Sequence, residues 1–167
     1  MSTPGPQVGI VIGSESDRAV MTLCTEVLDG YAIPWELLVI SAHRAPEAVR
    51  TYATRARPRG LRVLVGAAGA AAALPGVLAS MTTLPVIGVP LAATPLAGFD
   101  SLMSIVQMPP GIPVATVAVG EMGARNAAHL AAEILGLSDE AVAAAVEKRR
   151  ADQAAAMALP EDFGVSE

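Results

Sequence analysis

Along this chain, short runs of almost unbroken apolar residues alternate with longer stretches in which apolar positions recur every three or four residues. The run "VGIVIGS", Val8 to Ser14, ends in Gly and Ser, the pattern of a strand covered on both faces. In "SDRAVMTLCTEVLDGY" the residues Val20, Leu23, Val27 and Leu28 share one side of a helix, with Ser16 as its N-cap, Asp17 in its first turn and Gly30 at its stop. The alternation continues with "WELLVIS" as a second strand and "APEAVRTYATRAR" as a helix that carries Pro46 in its first turn. "LRVLVGAA", "LPVIGVPL" and "IPVATVAVG" read as the third, fourth and fifth strands, with "LPGVLASMT" and "DSLMSIVQM" as the helices between them and "GARNAAHLAAEILG" as the helix that follows.

Five such strands separated by helices predict a three-layer α/β domain around a parallel sheet, because crossover connections place helices on both faces. Ligands in such sheets bind at the carboxyl ends of the strands, so those ends are where chemistry is sought. The chain, 1–167, reads as one domain with its core at about 8–136. Ser138 is expected to cap a last helix, about 138–159, that projects beyond the final strand. Its Ala and Val stripe suits packing on a neighbouring subunit or a solvated, partly frayed tail, and "PEDFGVSE" reads as disordered.

Composition sharpens this picture. Hydrophobic residues make up 53% and aromatics only 3%, so Ala, Val, Leu and Ile must fill the interior. The formal net charge of -5 gives no general attraction to nucleic acid or to an anionic membrane, so an anionic substrate needs a local site. One cysteine, Cys24, rules out an internal disulfide and sits at helical spacing as a small buried hydrophobe. The start "MSTPGPQ" lacks the pattern of a signal peptide, and a cytoplasmic location is expected.

From Val63 to Gly120 the only charged residue is Asp100, which raises the question of a membrane span. The candidate segment Val63 to Met81 is mostly Ala and Gly and contains Pro75, so burial in a sheet or an oligomer core explains it better.

Two strand ends carry chemistry. "GSESD", Gly13 to Asp17, places hydroxyls and a helix N-terminus together, which suits an anion or simple helix capping. It is neither a Walker loop nor a dinucleotide fingerprint. "SAHRAPE", Ser41 to Glu47, is the densest polar cluster, with His43 able to move protons near neutral pH and Arg44 able to pair an oxyanion through its planar fork. His129 lies on an outer helix and reads as structural. Two distant histidines and one cysteine make no metal-ligand set, and no cofactor motif is present.

The segments "VGIVIGSESD", "VISAHRAPE", "LPGVLASMTTLPVIGVP", "GFDSLMSIVQMPPGIPVATVAVG" and "GARNAAHLAAEIL" resemble, in that order and over most of residues 8–136, the N5-carboxyaminoimidazole ribonucleotide mutase (PurE) family of purine biosynthesis. The resemblance implies a flavodoxin-like α/β subunit in a homo-octamer. It implies a cofactor-free reaction in which carbon dioxide leaves the exocyclic nitrogen of an aminoimidazole ribonucleotide and is re-attached at carbon 4; a related branch carboxylates the amine directly. Carried over by motif, Ser14, Ser16 and Asp17 with Arg44 would hold the ribose phosphate, His43 would shuttle the proton, and Ser41 and Ala42 with nearby backbone N–H groups would meet the migrating carboxylate. Gly69, Ala70, Ala73 and Leu74 would form the floor.

That floor departs from the family pattern. Ala73 stands where the family carries a histidine, Ala67 and Ala70 stand where it carries glycines, Pro110 replaces an arginine, Ala115 replaces a glycine, and "LAATPLAGFD" lacks the usual polar start. Three readings follow: a working mutase that relies on His43, a relative that carboxylates or decarboxylates another heteroaromatic acid, and a catalytically weak oligomeric binding protein.

Overall fold

The computed structural model describes residues 5–158. Its strands are β1 (Val8–Ile12), β2 (Trp35–Val39), β3 (Val63–Gly69), β4 (Val86–Leu91) and β5 (Ala115–Thr116). They form one all-parallel sheet in the order β2-β1-β3-β4-β5. The helices are α1 (Arg18–Gly30), α2 (Pro46–Ala56), α3 (Leu74–Met81), α4 (Phe99–Val106), α5 (Glu121–Gly136) and α6 (Glu140–Ala156). This is the expected flavodoxin-like arrangement.

Alternate residues of the strands feed two apolar layers. Ile10, Ile12, Val65, Ala67 and Val89 pack against Cys24 and Leu28 of α1 and Ala124, Ala128 and Leu135 of α5. Val11, Leu64, Ala68 and Val86 point the other way, against Val49 and Tyr52 of α2, Leu78 of α3 and Ile105 of α4. Burying each Val, Leu or Ile contributes about 1.5–3 kcal/mol, so both layers are needed to offset the ordering of so alanine-rich a chain. Cys24 is fully buried, and burial pushes its thiol up to about 12, which leaves it inert.

The uncharged run splits into strand, helix and strand. Val63 to Met81 becomes β3 and the short α3, with Pro75 in the first turn of α3. Among the described residues no helix is long and apolar enough to cross a membrane. The one acidic residue inside a strand among the described residues, Glu36 of β2, accepts a hydrogen bond of 2.9 Å from the Tyr52 hydroxyl and pairs with Arg59. Burial, with Glu36 second, pushes the Tyr52 phenol well above its ordinary range.

Several boundaries differ from the sequence reading. Ser14, not Ser16, caps the turn after β1: its extended backbone leads into a 3-10 turn, Glu15–Asp17, and α1 starts only at Arg18. Asp139, not Ser138, caps α6, its carboxylate accepting from the N–H groups of Ala141 and Val142 at 3.1 and 3.2 Å. Ser138 instead accepts from Arg62. β5 keeps two residues of the longer expected strand because Pro113 has no N–H to give and the chain beyond Val117 swings away to start α5. There Gly123 approaches so closely that a Cβ would lie 1.7 Å from the Ala118 carbonyl oxygen. α6 spans 140–156; only Val142 is buried and 151–158 are exposed, while Arg149 and Arg150 hold its middle against Tyr31 and Glu133. The expected tail, 160–167, lies outside the described residues.

Candidate functional site

The sheet order reverses between β1 and β3, and the strand register brings the ends of β1, β2 and β3 level, with Ile12 opposite both Val39 and Ala67. The loops leaving these strands diverge toward opposite faces and open a crevice at the carboxyl edge. A cavity of about 420 Å³ lies there. Its lining includes Ser14, Ser16, Asp17, Ser41, Ala42, His43, Arg44, Gly69, Ala70, Ala73 and Leu74, so the structure brings together every residue carried over by motif, whereas the departures Ala67, Pro110 and Ala115 lie outside it.

The loop after β1 forms a closed capping box. The Asp17 carboxylate accepts from the Ser14 N–H at 3.0 Å, the Ser14 hydroxyl accepts from the Ser16 N–H at 3.4 Å, and the Ser16 hydroxyl donates to Ser14 Oγ at 2.9 Å. Burial raises the Asp17 carboxyl above its ordinary value, with the Ser14 and Ser16 hydrogen bonds acting against that rise. The loop after β2 turns through Ser41, whose side chain accepts from the Arg44 N–H at 3.3 Å and whose carbonyl accepts from the Ala45 N–H at 2.9 Å. This turn swings Arg44 across to β1, where its guanidinium donates to the Gly13 carbonyl at 3.0 Å. The remaining guanidinium donors stay free for an oxyanion, and His43, next to Arg44 in the same loop, is exposed and lines the cavity.

The opposite wall is built of methyl groups and backbone. Gly69 ends β3 so close to the chain after β4 that a Cβ would lie 2.4 Å from the Ala93 side chain. Ala70 and Ala72 adopt left-handed backbone, with φ of 53° and 40°, and Ala73 begins α3 without a side-chain cap. Left-handed backbone costs an alanine about 1–2 kcal/mol, which explains why glycine is expected at position 70. Ala67, by contrast, is fully buried within β3.

Four lining residues lie outside the sequence-derived set: Gly13, Ala68, Ala72 and Ala93. None has a functional side chain, and only proximity to a strand end marks them. A larger concavity of about 1040 Å³ lies toward the amino ends of the strands, but Arg57 is its one ionisable residue and already donates to Thr83. We place the chemistry at the smaller cavity on that ground.

Fold and site together define a flavodoxin-like α/β protein with a polar crevice, lined by one imidazole and one guanidinium, at the switch point of its sheet. The chain belongs to the AIR carboxylase family, whose model matches residues 7–156. It is 52% identical over 147 residues to an N5-carboxyaminoimidazole ribonucleotide mutase of Aliivibrio fischeri, covering 88% of this chain and 91% of the relative. Against the protein of that name in Bacillus subtilis it is 51% identical over 145 residues, covering 87% and 90%. The crystal structure of Treponema denticola PurE superposes with a TM-score of 0.84 at 27% identity, covering 97% of this chain and 99% of that one.

Proposed function

We propose that this protein converts N5-carboxyaminoimidazole ribonucleotide to 4-carboxy-5-aminoimidazole ribonucleotide in purine biosynthesis. One observation carries the reading: in a chain half-identical to such mutases, Ser14, Ser16, Asp17, Ser41, His43 and Arg44 converge on one cavity wall. Arg44 and the capping-box hydroxyls hold the ribose phosphate. The N5–carboxyl bond breaks as the nitrogen takes a proton from His43, and carbon dioxide stays against the methyl floor. Carbon 4 then bonds to carbon dioxide, and His43 takes the proton which that carbon loses. The net change moves one carboxyl from nitrogen to carbon and one proton from carbon to nitrogen. A floor of Ala68, Ala72, Ala73 and Leu74 keeps water sparse around the migrating group, which favours loss of carbon dioxide and its recapture. Within the sparsely charged 63–120 the exposed Leu96, Phe99, Met103 and Val106 support burial against further copies of the chain, which we read as a cytoplasmic homo-octamer.

Ala73 favours a second reading. The missing imidazole removes a hydrogen-bonding group from the carboxylate side, which suits carboxylation or decarboxylation of a different heteroaromatic acid. Ultraviolet absorbance and isotope exchange of the substrate carboxylate separate the two. Turnover of the ribonucleotide that Ala73→His raises by about 10-fold or less supports the mutase reading. Binding of the ribonucleotide without exchange in the wild type, with exchange appearing in Ala73→His, overturns it in favour of the second.

A further inference from the structure

A second polar cavity, of about 250 Å³, lies on the layer formed by α1, α5 and α6. Asn126, His129 and Glu133 line it from one face of α5; Arg149, Arg150 and Gln153 face them from α6, and Tyr31 closes it just beyond α1. The Tyr31 hydroxyl and His129 Nδ1 are 2.8 Å apart, and the two rings meet edge to face with centroids 5.6 Å apart. This contact fixes the tyrosine ring beneath Arg149, whose guanidinium carbon lies 5.7 Å from the ring centroid.

The charges in this cavity do not balance. Arg150 pairs with Glu133, whereas no carboxylate among the described residues lies within ion-pair distance of Arg149. The Nε of Arg149 is buried and has no hydrogen-bond partner. An aromatic face attracts a guanidinium but accepts no planar pair of N–H bonds, and a buried donor left unmet is costly. The group that satisfies such a fork is a carboxylate or a phosphate.

We infer that this cavity is a binding site for a small oxyanion, held by the Arg149 guanidinium with the Asn126 and Gln153 amides as neutral donors. Bound there, the anion bridges α6 to α5 and to the end of α1, and so secures a helix that has only Val142 fully inside the protein. It also acts on His129. Burial first, and the charge of Arg149 second, hold that imidazole below its ordinary value, with Arg150 acting the same way and Glu133 acting against them. An anion on Arg149 cancels part of this field and raises the affinity of His129 for a proton. By linkage, anion binding tightens as the pH falls through the titration of His129.

The chain has two histidines, one in each cavity, so imidazole NMR resonances of the full-length protein report the sites separately. Sodium phosphate and sodium acetate, each titrated at constant ionic strength against sodium chloride, distinguish tetrahedral from planar oxyanions. The expected result is a saturable shift of the His129 resonances with at least one of them, independent of any change at His43. Arg149→Gln abolishes this shift and keeps the helical circular dichroism, and Asn126→Ala weakens binding by about 3- to 10-fold. The inference is overturned if the wild-type His129 resonances stay fixed, or drift linearly without saturating as an adventitious ion would cause. It is equally overturned if they respond to protein concentration instead of anion, which would mean that a second copy of the chain fills the cavity.

Discussion

The two walls of the carboxyl-edge cavity are built on different principles. The wall after β1 and β2 is polar, and its side chains hold one another: Asp17 on Ser14, Ser16 on Ser14, Arg44 on Gly13. The wall after β3 and β4 has no polar side chain at Gly69, Ala70, Ala72, Ala73 or Ala93, and it holds its shape through close backbone contact and left-handed alanines. Under the proposed function, the polar wall is to fix where a charged substrate sits, and the methyl wall what fits beside it. A side-chain change on the first should reach turnover or affinity, and a change on the second should register mainly in stability or selectivity.

The contrast breaks most sharply at His43. His43→Ala is expected to lower kcat by about 100- to 10,000-fold with little change in KM, as loss of a proton-transfer group does; carboxylate exchange measures it. Next comes Arg44→Ala, which removes charge-assisted bonds worth about 1.5–3 kcal/mol and so lowers kcat/KM by roughly 10- to 100-fold, chiefly through KM. Arg44→Lys restores part of this, since an ammonium supplies the charge without the fork. If both changes left catalysis intact, the polar wall would be mere helix capping.

On the methyl wall, Ala70→Gly is expected to raise stability by about 1 kcal/mol and leave kcat within a factor of a few, because glycine accepts the left-handed conformation freely. Denaturant midpoints measure this, and a fall in stability would show that position 70 is not strained. The smallest effect concerns pH. Burial raises the Asp17 carboxyl above its unfolded value near 3.8, so its contribution to stability is present below that value and is lost as the pH rises through the raised one. Asp17→Asn lacks this slope, and the difference between its unfolding free energy and that of the wild type should change sign-consistently over that range.

The sequence disclosed the order of elements and the polar wall because both leave local signals. Apolar runs ending in Gly or Ser mark strand ends, and His43 and Arg44 directly follow one of them. The rest is set by distance. Ala93 reaches the cavity only because Gly69 lets two strand ends touch, and Tyr31 meets His129 across 98 residues of chain. Reading His129 as structural is compatible with its contact to Tyr31 but named neither that partner nor the cavity lined by α6. The caps went one or two residues astray because Ser14 competes with Ser16, and Asp139 with Ser138, for N–H groups that only coordinates assign. β5 was overestimated because an apolar run at a sheet edge has one neighbouring strand, and Pro113 cannot donate to it.

The left-handed alanines bear on how this pocket can evolve. Ala70 and Ala72 each hold about 1–2 kcal/mol of conformational strain, and a single glycine substitution at either releases most of it. Changes at Ala73 or Ala93 that alter ligand choice at some cost in folding free energy therefore have compensating mutations within a few residues, in the same loop or across its contact. The floor of the site is a place where selectivity can drift without first requiring a more stable protein elsewhere.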